Sequence, residues 1–229
     1  MGMDFVIDPI AQPTVSVYGG SKFPVRRIFC IGRNYADHVR EMGGDPKSSP
    51  PVFFTKPADA VAANGAAIPY AQATTNLHFE GELVVALKGG GKDFTAEDDV
   101  ASLIYGYAAG CDLTRRDHQA KAKDGGAPWD TAKGFDFSAP VGDIVPADAS
   151  NLSGARLQTY VNDEKRQDAA LEQMIWSVPE ILAALSRQFE LKPGDLIFTG
   201  TPDGVGPVVP GDQIKVAIGD AMTLQFSIV

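Results

Sequence analysis

The stretch that most restricts this chain is His78-Phe79-Glu80-Gly81-Glu82, which runs directly into Leu83-Val84-Val85-Ala86-Leu87. A strand period of two predicts His78, Glu80 and Glu82 on one face, with Leu77, Phe79 and Leu83 on the other. If the acidic face is interior and a third carboxylate joins it, each pair at about 4 Å repels by roughly 4 kcal/mol at an effective dielectric near 20. Three such pairs approach ~12 kcal/mol, comparable with the whole stability of a domain at about 5–15 kcal/mol. A fold that buries this strand must bring positive charge to it, and a divalent cation is the economical way to do so. The competing reading is an antiparallel sheet with one solvated face.

The rest of the composition narrows the setting. With 229 residues and 44% hydrophobic content, the chain can bury one substantial core. It reads as one catalytic-sized domain over residues 23–229, with residues 1–22 as a leader of the same domain. A net charge of -9 argues against nucleic acid or an anionic membrane as partner, since phosphate binding needs a basic face. An anionic small molecule remains compatible, because a local metal or basic cluster can attract it. Cys30 and Cys111 stand alone, in no ligand or redox spacing, which fits a reducing compartment. The first residues carry Asp4 and Asp8 where a signal peptide would be basic, so a soluble, cytoplasmic protein is expected.

Along the chain, the residues before Pro24 suit short strands and turns. Val25–Gly32 reads as a strand closed by glycine, and Arg33–Met42 as a short helix with Asn34 as its cap. That helix is framed by Gly43-Gly44 and a proline-rich segment, which suits a moving lid. On it His38 and Glu41 are neighbours three residues apart, either a base with its orienting carboxylate or an ordinary exposed ion pair. Thr95 opens a capping-box-like helix to about Leu103. The strand Ile104–Cys111 delivers Asp112 at its end, and Thr114–Lys123 reads as a polar helix bearing Arg115, Arg116, His118 and Gln119. Lys133 lies in a glycine- and proline-rich loop, either held inward to meet an oxyanion or simply solvated. From Pro140 onward sheet dominates, with a strand from Val141 to Val145, a turn at Asn162-Asp163, and one helix whose apolar stripe is Ile181, Leu182, Leu185 and Phe189. The loop Gly200-Thr201-Pro202-Asp203-Gly204-Val205-Gly206 can bring backbone N–H groups close to a carboxylate, although turn chemistry explains it equally well.

Five stretches in order, Gly32–His38 with Glu41, His78–Glu82, Cys111–Asp117 with Gln119, Thr131–Asp136 and Thr199–Gly206, together resemble the fumarylacetoacetate hydrolase family from about Val25 to Val229. Within it, the chain is similar to the acylpyruvate hydrolases and to bacterial fumarylpyruvate hydrolases. The resemblance implies a mixed α/β, β-rich fold, a mixed β-sandwich roll with peripheral helices, assembled as a homodimer. It implies Mg²⁺, with Mn²⁺ or Ca²⁺ as substitutes, held by Glu80, Glu82 and Asp112. His38 and Glu41 become the base dyad and Lys133 a third catalytic residue, while Arg33, Arg116, Gln119, Gly200 and Thr201 face the substrate.

The implied chemistry is hydrolysis of a carbon–carbon bond in a 2,4-diketo acid, fumarylpyruvate first among them, to pyruvate and a second carboxylate. Oxaloacetate decarboxylation at the same site is the nearest rival, and an isomerase acting on a related keto acid a weaker one. A non-catalytic, metal-stabilised binding protein is the reading from a different class. A cupin-like iron site at His78, Glu80 and Glu82 lacks the second histidine of a facial triad.

Overall fold

The computed structural model describes residues 5–41, 51–95 and 97–229, apart from the side chain of Val39. Its centre is a six-stranded mixed sheet in the order Val145–Pro146, Ile104–Cys111, Gly81–Leu87, Asp195–Phe198, Arg27–Gly32, Val52–Lys56. All seven residues of Gly81–Leu87 and all four of Asp195–Phe198 are buried, as expected for strands covered on both faces. A second, five-stranded sheet runs Glu164–Ala170, Arg156–Val161, Gln213–Ile218, Met222–Ile228, Ala67–Ile68. Its strands alternate buried and exposed residues, so one face is solvated and the other packs inward.

The two sheets meet through Leu83, Ala109 and Cys111 on one side and Leu157, Val216, Leu224 and Phe226 on the other. Farther along the first sheet, Phe29, Val85 and Ile197 receive Ile181, Leu182 and Leu185 from the helix Val178–Ser186. Val84, Ala108 and Phe198 pack with Val15, Val17 and Phe23 of a small antiparallel hairpin, Thr14–Ser16 with Lys22–Pro24. The expected β-rich sandwich with peripheral helices is thus the observed architecture.

Four local expectations change. The acidic stretch is not one strand: Leu77–Phe79 belongs to a small sheet with Thr114–Arg115 and Gly206–Pro207, while Gly81–Leu87 joins the central sheet. The chain changes sheets at Glu80, whose carbonyl accepts from Asp112 N at 2.8 Å, and that bond ties the two acidic segments together. The helix expected from Thr95 does not form. Thr95 and Asp98 bond each other instead, and only Val100–Leu103 makes a 3-10 turn, capped by Asp99. In place of a strand from Val141 to Val145 there are single bridges at Val141 and Ile144, flanked by the two-residue strands Ala139–Pro140 and Val145–Pro146. Phe189 lies beyond its helix, 38% exposed, and packs its ring 5.0 Å from that of Phe29.

Glycine is required at two points beside the acidic residues. A Cβ on Gly81 would lie 2.1 Å from Thr159 Oγ1, and one on Gly200 would lie 2.7 Å from Asn34 Cβ, with φ at +95° as well. The first lets the second sheet close against the acidic segment. The second lets the loop after Asp195–Phe198 approach the turn after Arg27–Gly32.

Candidate active site

Four helices are labelled from here in chain order: α1, Ala36–Glu41; α2, Arg116–Gly125; α3, Asp130–Lys133; α4, Val178–Ser186. The solvated-face reading of the acidic strand does not survive. Glu80, Glu82 and Asp112 are 4%, 1% and 0% exposed, and one carboxylate oxygen of each lies within 4.8 Å of the others. They converge because Glu80 and Glu82 bracket the sheet change while Asp112 ends the neighbouring strand, paired in the register Gly81 to Cys111.

Much of the compensating charge comes from the protein itself. Lys133 Nζ donates to Glu80 Oε2 at 2.7 Å, Asp112 Oδ2 at 2.6 Å and Thr114 Oγ1 at 2.6 Å. Arg116 reaches Glu80 Oε1 at 2.5 Å and Gln119 Oε1 at 2.6 Å. Lys56, fully buried, lies 2.8 Å from Asp112 Oδ1 at an angle too bent for a hydrogen bond, and also donates to the carbonyl of Lys133. Charge alone therefore does not demand a metal here, which corrects the simplest form of the sequence argument. The deficit is local to Glu82. Its Oε2 accepts only the Gly200 N–H, at 2.7 Å, and no lysine or arginine of the described residues pairs with it.

The ionisation of these groups follows the same division. Burial opposes the charged form of Glu80, but Lys133, Arg116 and His38 outweigh it and hold its carboxyl well below the usual range. Burial, then Asp112 and Glu80, push Glu82 well above that range. Burial works against the Lys133 ammonium, yet Asp112 and Glu80 overcome it and raise its pKa. A hard divalent cation fits this donor set. Three carboxylates offer one oxygen each, one carboxylate lacks a cationic neighbour, and oxygen donors are what such an ion prefers.

The trio opens on a cavity of about 120 Å³ whose wall also carries Arg33, His38, Phe54, Gln119, Lys123, Trp129 and Thr201. His38 comes from α1, 8% exposed, with Nδ1 3.2 Å from Glu41 Oε2. Glu41 in turn accepts the Gly204 N–H at 3.3 Å, which links α1 to the loop after Thr199. Asn34 is not the cap of α1, since Tyr35 stands between it and the first helical residue. Its side-chain amide donates to the carbonyls of Thr199 and Trp176 and accepts from Trp176 N, fixing the start of the same loop. The glycine-rich lid frame, Gly43 to Pro50, lies outside the described residues.

The structure thus brings His38, Arg33, Glu80, Glu82, Asp112, Arg116, Gln119, Lys133 and Thr201 to one cavity. Glu41 stands behind His38. Gly200 is committed to Glu82, so of the two loop residues singled out only Thr201 lines the space, its Oγ1 accepting from Gln167 Nε2 at 2.8 Å. His78 takes no part in the acidic cluster and bonds Asn76 and Arg116 instead. Sequence reasoning missed Lys56, Phe54, Trp129 and Lys123. The alternation in Val52-Phe53-Phe54-Thr55-Lys56 puts Phe54 and Lys56 on one face, a signal available but not distinctive. Lys133 proves to sit on the four-residue helix α3 rather than in a loop, its ammonium 5.0 Å from the Phe54 ring centroid.

A family model for the fumarylacetoacetate (FAA) hydrolase C-terminal region matches residues 27–229. The crystal structure of fumarylpyruvate hydrolase from Pseudomonas aeruginosa, in complex with Mn²⁺ and pyruvate, is 44% identical and superposes with a TM-score of 0.94 over 99% of both chains. Mitochondrial oxaloacetate tautomerase of Bos taurus is 42% identical over 209 residues, 89% of this chain and 91% of its own. A fumarylpyruvate hydrolase of Ralstonia sp is 44% identical over 162 residues, 71% of this chain and 84% of its own. The chain belongs to the fumarylacetoacetate hydrolase family and is one of its enzymes. Among the described residues no helix is long and apolar enough to cross a membrane.

Proposed function

We propose that this enzyme hydrolyses the carbon–carbon bond of acylpyruvates, 2,4-diketo acids such as fumarylpyruvate, to pyruvate and a carboxylic acid. The observation that carries the reading is the meeting, in one cavity, of a histidine–carboxylate pair with a buried acidic trio. A divalent ion held by Glu80, Glu82 and Asp112, Mg²⁺ or Mn²⁺, would supply Lewis acidity toward the oxygens of the pyruvyl end.

The chain's own groups account for the rest. His38, oriented by Glu41, takes a proton from water for attack at the carbonyl next to the bond to be cleaved, and Glu41 favours the imidazolium that results. Lys133 and Arg116 offer fixed positive charge beside Glu80, where negative charge grows as the pyruvyl carbon departs. Phe54 and Trp129, rings 5.7 Å apart, form the apolar part of the wall and limit the water that reaches the site.

His38→Ala should lower kcat by about 10²–10⁴-fold with little change in KM, followed as loss of the diketo-acid ultraviolet band. Normal turnover in that variant would refute the assignment. A second reading is favoured by the oxaloacetate tautomerase relatives: proton transfer between the keto and enol forms of oxaloacetate, at the same cavity. It consumes no water. Parallel assays for pyruvate release from acylpyruvates, for oxaloacetate enol decay and for its decarboxylation separate the three chemistries.

A further inference from the structure

The helix α2 carries Arg116, Gln119 and Lys123 at positions i, i+3 and i+7, one face of a helix, and all three line the cavity. Arg116 is engaged with Glu80 at the acidic end. Lys123 is two turns further on, about 10 Å along the axis at 1.5 Å per residue. There its ammonium lies 5.4 Å from the Trp129 ring centroid, a cation–π contact that holds the long side chain against the wall.

Glu80 favours the Lys123 charge only from beyond ion-pair distance. Neither Lys123 nor Arg33, the other cation of the wall, has a carboxylate within 4.0 Å. Arg33 is moreover held at φ +64°, a left-handed conformation that is strained for a side-chain-bearing residue. A strained residue facing a cavity is the kind of feature functional sites retain. Burial, then repulsion from Arg116 and Arg33, keep Lys123 below the usual lysine range. An anion placed among these cations would relieve that repulsion.

We propose that Lys123, seated on Trp129 and assisted by Arg33, binds a second carboxylate at the far end of the acyl arm, so that the enzyme prefers dicarboxylic acylpyruvates. The inference rests on the acylpyruvate reading above and names its substrate class. The two ends of fumarylpyruvate are six bonds apart, about 7 Å at the roughly 3.5 Å per three bonds of an extended chain. Adding a hydrogen-bond length of about 3 Å at each end gives about 13 Å, a span that the long side chains of Arg116 and Lys123, about 10 Å apart along α2, can bracket.

The test compares kcat/KM for fumarylpyruvate and for acetylpyruvate, which lacks the distal carboxylate, on the same metal-loaded enzyme. The ratio should favour fumarylpyruvate in the parent protein, fall about tenfold or more in Lys123→Met, and be largely kept in Lys123→Arg. Lys123→Gln carries the same expectation should the methionine form fail to fold, and competitive inhibition by pyruvate reports on an intact pocket. An unchanged ratio in Lys123→Met, or a parent enzyme that prefers acetylpyruvate, overturns the proposal while leaving the hydrolase reading intact. If neither compound is cleaved, the hydrolase reading fails and this inference falls with it.

Discussion

Two clusters of buried charge lie near opposite ends of the central sheet, and they are built on different principles. At the start of Asp195–Phe198, Asp195 is 0% exposed and faces two arginines, Arg26 at 3.1 Å and Arg27 at 3.1 Å, with Lys192 N donating at 2.9 Å. Both arginines remain partly exposed, so water helps to solvate the excess positive charge. Beyond the other end of that strand, Glu80, Glu82 and Asp112 face one another across a cavity, and Glu82 has a single backbone donor. The first cluster is closed and its carboxylate satisfied; the second is open and one of its members is not. A structural ion cluster completes its own hydrogen bonding, whereas a binding cluster leaves part of it for a ligand.

The contrast can be broken experimentally, beginning with the largest effect. Stripping divalent ions with a chelator should reduce acylpyruvate turnover to background, and added Mg²⁺ or Mn²⁺ should restore it. Full activity in metal-free enzyme would leave the open cluster without its proposed purpose. At the closed cluster, Asp195→Ala should cost about 2–3 kcal/mol in urea unfolding, since several charge-assisted bonds are lost but the arginines can turn to water. The folded fraction of that variant should keep its kcat. Glu82→Gln should do the opposite: it removes a repelled buried charge while the amide oxygen still accepts from Gly200. The metal-free protein should then gain about 1–2 kcal/mol of stability as catalysis is lost. Loss of stability in Glu82→Gln would mean that its charge is better satisfied than the geometry indicates.

An exposed third cluster calibrates both. Lys165 first, and then Arg156 and Gln158, hold the Asp168 carboxyl down at about 2. A depressed carboxylate stabilises the fold at pH values above its unfolded pKa, near 4, and that contribution fades as the pH falls toward 2. Because the cluster is solvated, Asp168→Asn should change stability by well under 1 kcal/mol at pH 7 and by still less at pH 2. A larger change would show that the surface sheet depends on its ion pairs.

Much of this molecule was legible residue by residue. The strand Ile104–Cys111 formed over its expected range, and Ile181, Leu182 and Leu185 of the expected stripe are buried on α4, which a capping box from Ser177 to Glu180 opens. The turn at Asn162-Asp163 has both residues at positive φ, as a tight hairpin requires. These features are set by neighbours close in the chain. Where a distant partner competed, the local reading failed: Asn34 left its expected cap for Trp176 and Thr199.

The acidic stretch divides in the same way. Its composition by itself required that, if buried, the carboxylates meet positive charge, because that follows from the energy of like charges in a poor dielectric. Which charges answer was decided by tertiary structure alone. Lys56, Arg116 and Lys133 come from three separate elements, and only the register of Gly81–Leu87 against Ile104–Cys111 and the placing of α2 and α3 bring them to Glu80 and Asp112 while passing Glu82 by. Coulomb forces depend on distance in space, and distance along the chain does not report it.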